Sequence, residues 1–232
     1  MNIKQNTNYF KISDKFQRAA VLVLGGGVVS MLLAFFGLGR FIFFTLAGLL
    51  LPVGFVMYLI GTTQRATDED IRVQIEQATQ DMEVDLSKIT KYQRRIVPGK
   101  EPRELSGFDY DDGLMFTKTS RNSNVISSSY TKALLYQLKD EFYIVRRKVS
   151  LVSEDVLNEV IEIPFEDIST INYITERKTV TFEKNTYEVE LTKIEIKYGE
   201  NEIISFPIGK DVEAEAYTEK LLKTVLSAKE NA

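Results

Sequence analysis

Two groups of residues in this chain have the types that chemistry requires. Glu166 and Asp167 are consecutive carboxylates, and paired acids support general acid–base catalysis when their surroundings push their pKa values apart. Ser127, Ser128 and Ser129 offer hydroxyl nucleophiles, which need a neighbouring base to be activated. The sequence contains no histidine and no cysteine. That removes the usual base for a serine, the thiolate nucleophile, disulfides and the common zinc ligands. Consecutive acids after Pro164 read as a capped turn, and the serine run reads as a loop. No catalytic residue, metal site or cofactor is therefore expected, and the chain is read as non-enzymatic.

A third group is basic. Arg146 and Lys148, two positions apart in a strand, project to one face, while Arg147 points to the other. That geometry permits a small anion site; the competing reading is a solvated charged face. Arg94, Arg95, Lys100 and Arg103 make a second cluster that would touch a membrane surface if the preceding segment holds it there. The formal net charge of -4 argues against nucleic-acid binding.

The elements that must carry these residues divide into two parts. Residues 1–18 form a short polar segment. Residues 19–61 then read as a two-helix transmembrane hairpin, because the runs from Ala19 to Gly37 and from Phe41 to Ile60 each approach the roughly 20 residues that cross a hydrocarbon core. Gly37-Leu38-Gly39-Arg40 is the turn between them. Lys4, Lys11, Lys15 and Arg18 precede the first run and only Arg40 separates the two, so the positive-inside rule places the N-terminus and the C-terminal domain in the cytoplasm of a multi-pass cell-membrane protein. A second apolar run directly after the first opposes a cleaved signal peptide. The stretch from Val21 to Ser30 resembles a glycine-rich dinucleotide loop, but Ser30 stands where a third glycine belongs. In a membrane helix, Gly26 and Ser30, with Gly25 and Gly27, form a small-residue face against which Gly48 and Gly54 pack; that face serves the hairpin itself or a membrane partner.

Residues 66–95 are expected to form one amphipathic connector helix, capped by Thr67 and started by Asp68, Glu69 and Asp70. Its apolar stripe, Ile71, Ile75, Met82 and Ile89, with Ala78 and Leu86 between, either packs on its own domain or pairs with a second copy. Pro98-Gly99 and Pro102 end it, making 96–103 a linker.

From residue 104 to 232 the pattern becomes short strands with turn signals, beginning near Leu105. Asp112-Gly113 marks a hairpin before Leu114-Met115-Phe116. Strands are expected at 133–138, 142–151, 156–163, 170–174, 179–182, 187–198 and 202–208, forming a small barrel or sandwich. A last amphipathic helix begins at Asp211 and presents Ala214, Tyr217, Leu221, Val225 and Ala228 on one face.

The series Phe142-Tyr143-Ile144-Val145-Arg146-Arg147, then Ile161-Glu162-Ile163-Pro164-Phe165-Glu166-Asp167-Ile168, then Ile194 to Gly199 and Ile203 to Phe206 before a terminal helix, resembles membrane-anchored bacterial pleckstrin-homology-like (PH-like) proteins over about 105–230. The likeness implies a PH-like fold used for protein or lipid binding, without enzymatic activity. Lys139, Arg146 and Lys148 are similar to the basic pattern of phosphoinositide-binding PH domains, which implies a candidate site for a lipid headgroup, although Lys148 stands where arginine is usual; the Ser-rich segment from Asn122 to Thr131 departs from a compact meander. The expected fold class is thus an α+β membrane protein: hairpin, connector helix, PH-like β-barrel or sandwich, terminal helix. The expected function is a scaffold or accessory subunit of a membrane complex. Its partners are the lipid bilayer and a protein, or a second copy, met through connector and hairpin. A tethered sensor of anionic headgroups is the alternative, and an unrecognised enzyme a distant third.

Overall fold

A computed structural model describes residues 2–12, 14–37, 39–110, 115–119, 124–182, 185–209 and 213–230. The chain divides into two compact units, Met1–Arg72 and Val73–Ala232.

The first unit is helical. Helix α1 (Ile3–Lys11) begins where Asn2 accepts a bond from the Gln5 amide, 3.2 Å. Two long apolar helices follow, α2 (Asp14–Phe35) and α3 (Arg40–Thr63), each long and apolar enough to cross a membrane. They pack through glycine. A Cβ at Gly27 would stand 2.9 Å from the Leu51 side chain, and one at Gly54 only 2.8 Å from the Leu24 amide nitrogen. Ser30 is buried as well. Gly26 meets Leu50 at ordinary contact distance and nothing lies within 4 Å of a Cβ at Gly48, so of the expected small-residue positions Gly27 on α2 and Gly54 on α3 make the close approaches, and Gly48 makes none. Leu38, in the expected turn, lies outside the described residues. Hydroxyls in α3 bond back to their own helix: Thr45 to the Phe41 carbonyl at 2.9 Å and Thr62 to that of Tyr58 at 2.8 Å. Helix α1 is fastened to the chain leaving α3. The Asn8 amide donates to the Gln64 carbonyl at 2.8 Å, the Ala66 amide to the Gln5 carbonyl at 3.1 Å, and the Tyr9 hydroxyl to Asp68 at 2.6 Å.

Helix α4 (Asp68–Ala78) is capped reciprocally: the Thr67 amide donates to Asp70 at 2.8 Å and the Asp70 amide to the Thr67 hydroxyl at 3.1 Å. Those bonds hold the Asp70 carboxyl below its usual range, the Thr67 backbone bond contributing most. The expected helix over 66–95 is corrected here. It stops at Ala78, Asp81 takes a left-handed φ of 59°, and only a short 3-10 turn, Leu86–Lys88, follows. Ile71 and Ile75 are therefore buried positions of α4, whereas Met82 and Ile89 lie beyond it and share no helical face with them.

The second unit is built from antiparallel strands. Strands β1 (Arg103–Asp109), β4 (Ser129–Gln137), β5 (Glu141–Ser150) and β6 (Val156–Pro164) form a four-stranded sheet in the order β1-β4-β5-β6. Strands β7 (Ile168–Phe182), β8 (Asn185–Tyr198) and β9 (Glu202–Ile208) form a three-stranded sheet, and β2 (Thr117–Thr119) pairs with β3 (Val125–Ser127). No sheet closes into a barrel, which corrects the barrel form of the expectation. The two larger sheets meet where β1 runs beside β9. There Gly107 permits close approach, since a Cβ would stand 3.1 Å from the Pro207 carbonyl carbon, and the Gly209 amide donates to the Ser106 carbonyl at 2.8 Å.

Segments 170–174 and 179–182 are one continuous strand, β7, and the Ser-rich stretch supplies β3 and the start of β4. The expected linker is partly sheet, with Ile96 bridging Leu138 and Arg103 opening β1. Asp112-Gly113, Leu114, Asn122 and Asp211 lie outside the described residues. Helix α5 (Ala214–Glu230) lays Ala214, Leu221 and Val225 on the core formed by Leu135, Phe142, Ile144, Ile163, Ile194 and Phe206.

Candidate functional site

The residues singled out for chemistry are mostly structural. Glu166 and Asp167 sit in a 3-10 turn, Phe165–Asp167, between β6 and β7. Both are exposed, and the Asp167 carbonyl accepts from the Gly199 amide at 3.0 Å. The serines are committed to backbone geometry: Ser128 accepts from the Phe116 amide at 2.9 Å and Ser127 from the Ser129 amide at 3.0 Å. Among the described residues no group of three or more acidic side chains could hold a metal ion.

The basic residues do not converge. Lys139 lies in the β4–β5 turn, where its amide donates to the Arg95 carbonyl at 3.0 Å, at the opposite end of β5 from Lys148. Arg146 and Lys148 do share a face, and each meets a carboxylate of this chain. The Arg146 Nε donates to Glu159 at 2.6 Å, and Lys148 Nζ stands 3.0 Å from Asp109. The cations of 94–103 are likewise dispersed: Arg94 is exposed, Arg95 bonds Glu141 at 2.8 Å, Lys100 bonds Gln137 at 2.5 Å, and Arg103 lies over the Tyr217 ring, 5.2 Å from its centroid.

One face of the four-stranded sheet is covered by the segment that failed to continue as helix. Leu86 and Tyr92 pack with Leu138 and Tyr143. The Val84 amide donates to the Tyr136 hydroxyl at 2.8 Å, and Arg147 donates to the carbonyls of Ala78 at 2.9 Å and Gln80 at 3.0 Å. Glu162 accepts from Lys91 and, at 2.5 Å, from the Tyr92 hydroxyl. The Lys91 bond, followed by that of Tyr92, holds the Glu162 carboxyl below its ordinary range, while burial first and then Glu162 push the Tyr92 hydroxyl up.

The opposite face is the one that carries Arg146 and Lys148; sequence reasoning singled out those two cations but not the clefts and the apolar edge beside them. Along β5 the side chains pass from the buried Phe142 and Ile144 to the polar Arg146 and Lys148; along β6 they pass from Ile163 and Ile161 to Glu159 and Leu157. The sheet thus extends past its core, leaving two clefts. One, of 540 Å³, is lined by Met115, Phe116, Ser129, Lys148, Val152 and Leu157. The other, of 500 Å³, is lined by Arg146, Glu159, Ile161, Tyr198, Ile203 and Ser205. Both border β6, the outermost strand of its sheet. No family model, curated protein or solved structure matches the chain. The signal that pointed to this face was present in the sequence as Val156-Leu157 and Val160-Ile161, unusual apolar content for a strand that proves to be an edge.

Proposed function

We propose that the chain is a non-enzymatic, membrane-anchored scaffold or accessory subunit, held by an α2–α3 transmembrane hairpin and binding a protein partner through a cytoplasmic PH-like domain. The observation that carries this reading is the outer surface of the hairpin: Leu22, Phe36 and Phe41 are 76%, 80% and 85% exposed, within a larger set of exposed valine, leucine, isoleucine and phenylalanine side chains. Water does not tolerate a contiguous apolar surface of that extent, and a hydrocarbon phase covers it without cost. The PH-like reading is supported by antiparallel sheets of four and three strands meeting at β1 and β9, with a C-terminal helix on the core. Partner binding is favoured over headgroup sensing because Arg146 and Lys148 already face Glu159 and Asp109.

Affinity purification of the full chain from its native membrane in mild detergent tests the function. A stoichiometric protein partner is expected; a lone chain retaining anionic lipid would turn the assignment to lipid sensing. Topology is tested separately, using the absence of cysteine. Single cysteines replacing Arg40, at the start of α3, and the exposed Glu200, in the β8–β9 turn, should label from opposite sides of sealed vesicles. Labelling from the same side would exclude the hairpin. Ser128 is unsuitable for this purpose, being buried.

A further inference from the structure

Edge strands of soluble domains are normally protected against pairing by lysine, proline, a bulge or a covering element. Strand β7, the edge of the three-stranded sheet, follows that rule: α5 packs along it, Glu176, Arg177 and Lys178 lie in it, and its ladder is irregular between Ile168 and Thr170. Strand β6 does not. Its one proline, Pro164, stands at its last position, and from Val156 to Ile163 it has no lysine, proline or bulge; among the described residues no backbone bond from another segment reaches its free side. Three of its exposed side chains are large and apolar, Val156, Leu157 and Val160 at 47%, 51% and 57%, and they stand beside the exposed Asn158 and Glu162. Its two acids are drawn away from the free edge, Glu159 by Arg146 of β5 and Glu162 by Lys91 and Tyr92 of the segment that covers the sheet.

We infer that β6 is a docking edge for an extended segment of a partner protein, which adds as a fifth strand, lays an apolar side chain in the Leu157 cleft and sets a basic residue beside Glu154 and Asp155. This rests on the partner-binding reading above and gives that partner its chemistry. An added strand satisfies the free backbone groups and points alternate side chains to one face, about 7 Å apart. That face of β6 opens into the two clefts, the first walled by Met115, Phe116, Val152 and Leu157, which suits a leucine or phenylalanine. The other face presents Val156 and Val160, which suit β-branched residues. Charge selects the flank: Glu154 and Asp155 are exposed in the turn just before β6, and although Asp155 accepts from the Ser153 hydroxyl at 2.5 Å, both keep their negative charge facing solvent. A second copy is a poor occupant. Antiparallel self-pairing centred on Glu159 sets Glu159 against its counterpart, and centring on Asn158 sets Glu154 against Glu162 and Leu157 against Glu159.

The test is selection of short linear peptides from a phage-displayed library on the full-length protein in lipid nanodiscs. Peptides with alternating β-branched residues, one leucine or phenylalanine and a flanking lysine or arginine are expected. N-methylation of a selected peptide should abolish binding at every second position, as backbone pairing requires and a merely greasy patch does not. Val160→Lys and, independently, Glu154→Lys should each weaken binding by about tenfold or more while leaving the thermal melt in place. Failure to enrich such peptides overturns the inference. So does enrichment of peptides that ignore both substitutions, an outcome that leaves partner binding intact and moves it elsewhere; loss of the stoichiometric native partner, by contrast, is the failure of the broader function.

Discussion

Gly54→Leu is expected to open the α2–α3 hairpin. A Cβ at Gly54 would stand 2.8 Å from the Leu24 amide nitrogen and 3.1 Å from its Cα, so the obstacle is backbone, which cannot rotate aside as a side chain can. Overpacking of this kind costs about 1–3 kcal/mol when neighbours relax, and more when they are fixed. The first one or two kcal/mol already shift a two-state equilibrium by a factor of roughly 5–30. The readout is a disulfide between cysteines replacing Gln17 and Gly61, whose Cβ positions lie 3.7 Å apart, within the range a disulfide requires. Oxidation should close that bridge readily in the otherwise unaltered chain and several-fold less completely with Gly54→Leu. Gly48→Leu is the control, because nothing lies within 4 Å of its Cβ. Equal closure in all three would mean that glycine packing does not hold the hairpin.

The contrast between Gly54 and Gly48 shows what a sequence reveals about such an interface. Small residues among large apolar ones mark a surface where helices can approach, but one chain gives neither the rotation of each helix nor the level at which they cross. Thus Gly26 and Gly48 look as suitable as Gly27 and Gly54, and only the packed pair separates them. The strands were legible for a simpler reason. Alternation of buried and less buried positions is local, so β8 and β9 were expected close to their observed bounds.

The connector was illegible because its partners are remote. Ile71, Ile75, Met82 and Ile89 continue a helical spacing, yet the chain leaves the helix after Ala78. Past that point, Val84 finds the Tyr136 hydroxyl 52 residues away and Tyr92 finds Glu162 70 residues away, while Leu86 packs with Leu138 and Tyr143. Tertiary contacts of this kind override a weak local preference. The same holds for the basic residues. Arg146 and Lys148 could be placed on one face from alternation alone, but the carboxylates that meet them come from β6 and β1 and carry no local signature.

The second large effect is expected for Phe142→Ala. Phe142 is 0% exposed, its ring lies 4.8 Å from that of Phe165 at an interplanar angle of 66°, and it belongs to the core that joins both larger sheets to α5. Truncation removes the transfer energy of the ring and leaves a cavity whose walls are strands fixed by their ladders, which together cost about 3–5 kcal/mol. At roughly 2–4 °C per kcal/mol for a unit of this size, the melt of the β-rich unit, followed by far-ultraviolet circular dichroism of the full chain in nanodiscs, should fall by about 10 °C. Val160→Ala supplies the comparison within the same sheet. Its side chain is 57% exposed at the free edge, so stability should move by less than about 0.5 kcal/mol. A small effect at Phe142 would show that the two sheets do not share one core. A large effect at Val160 would show that the β6 edge is already covered within the isolated chain, leaving no free backbone for a partner strand to join.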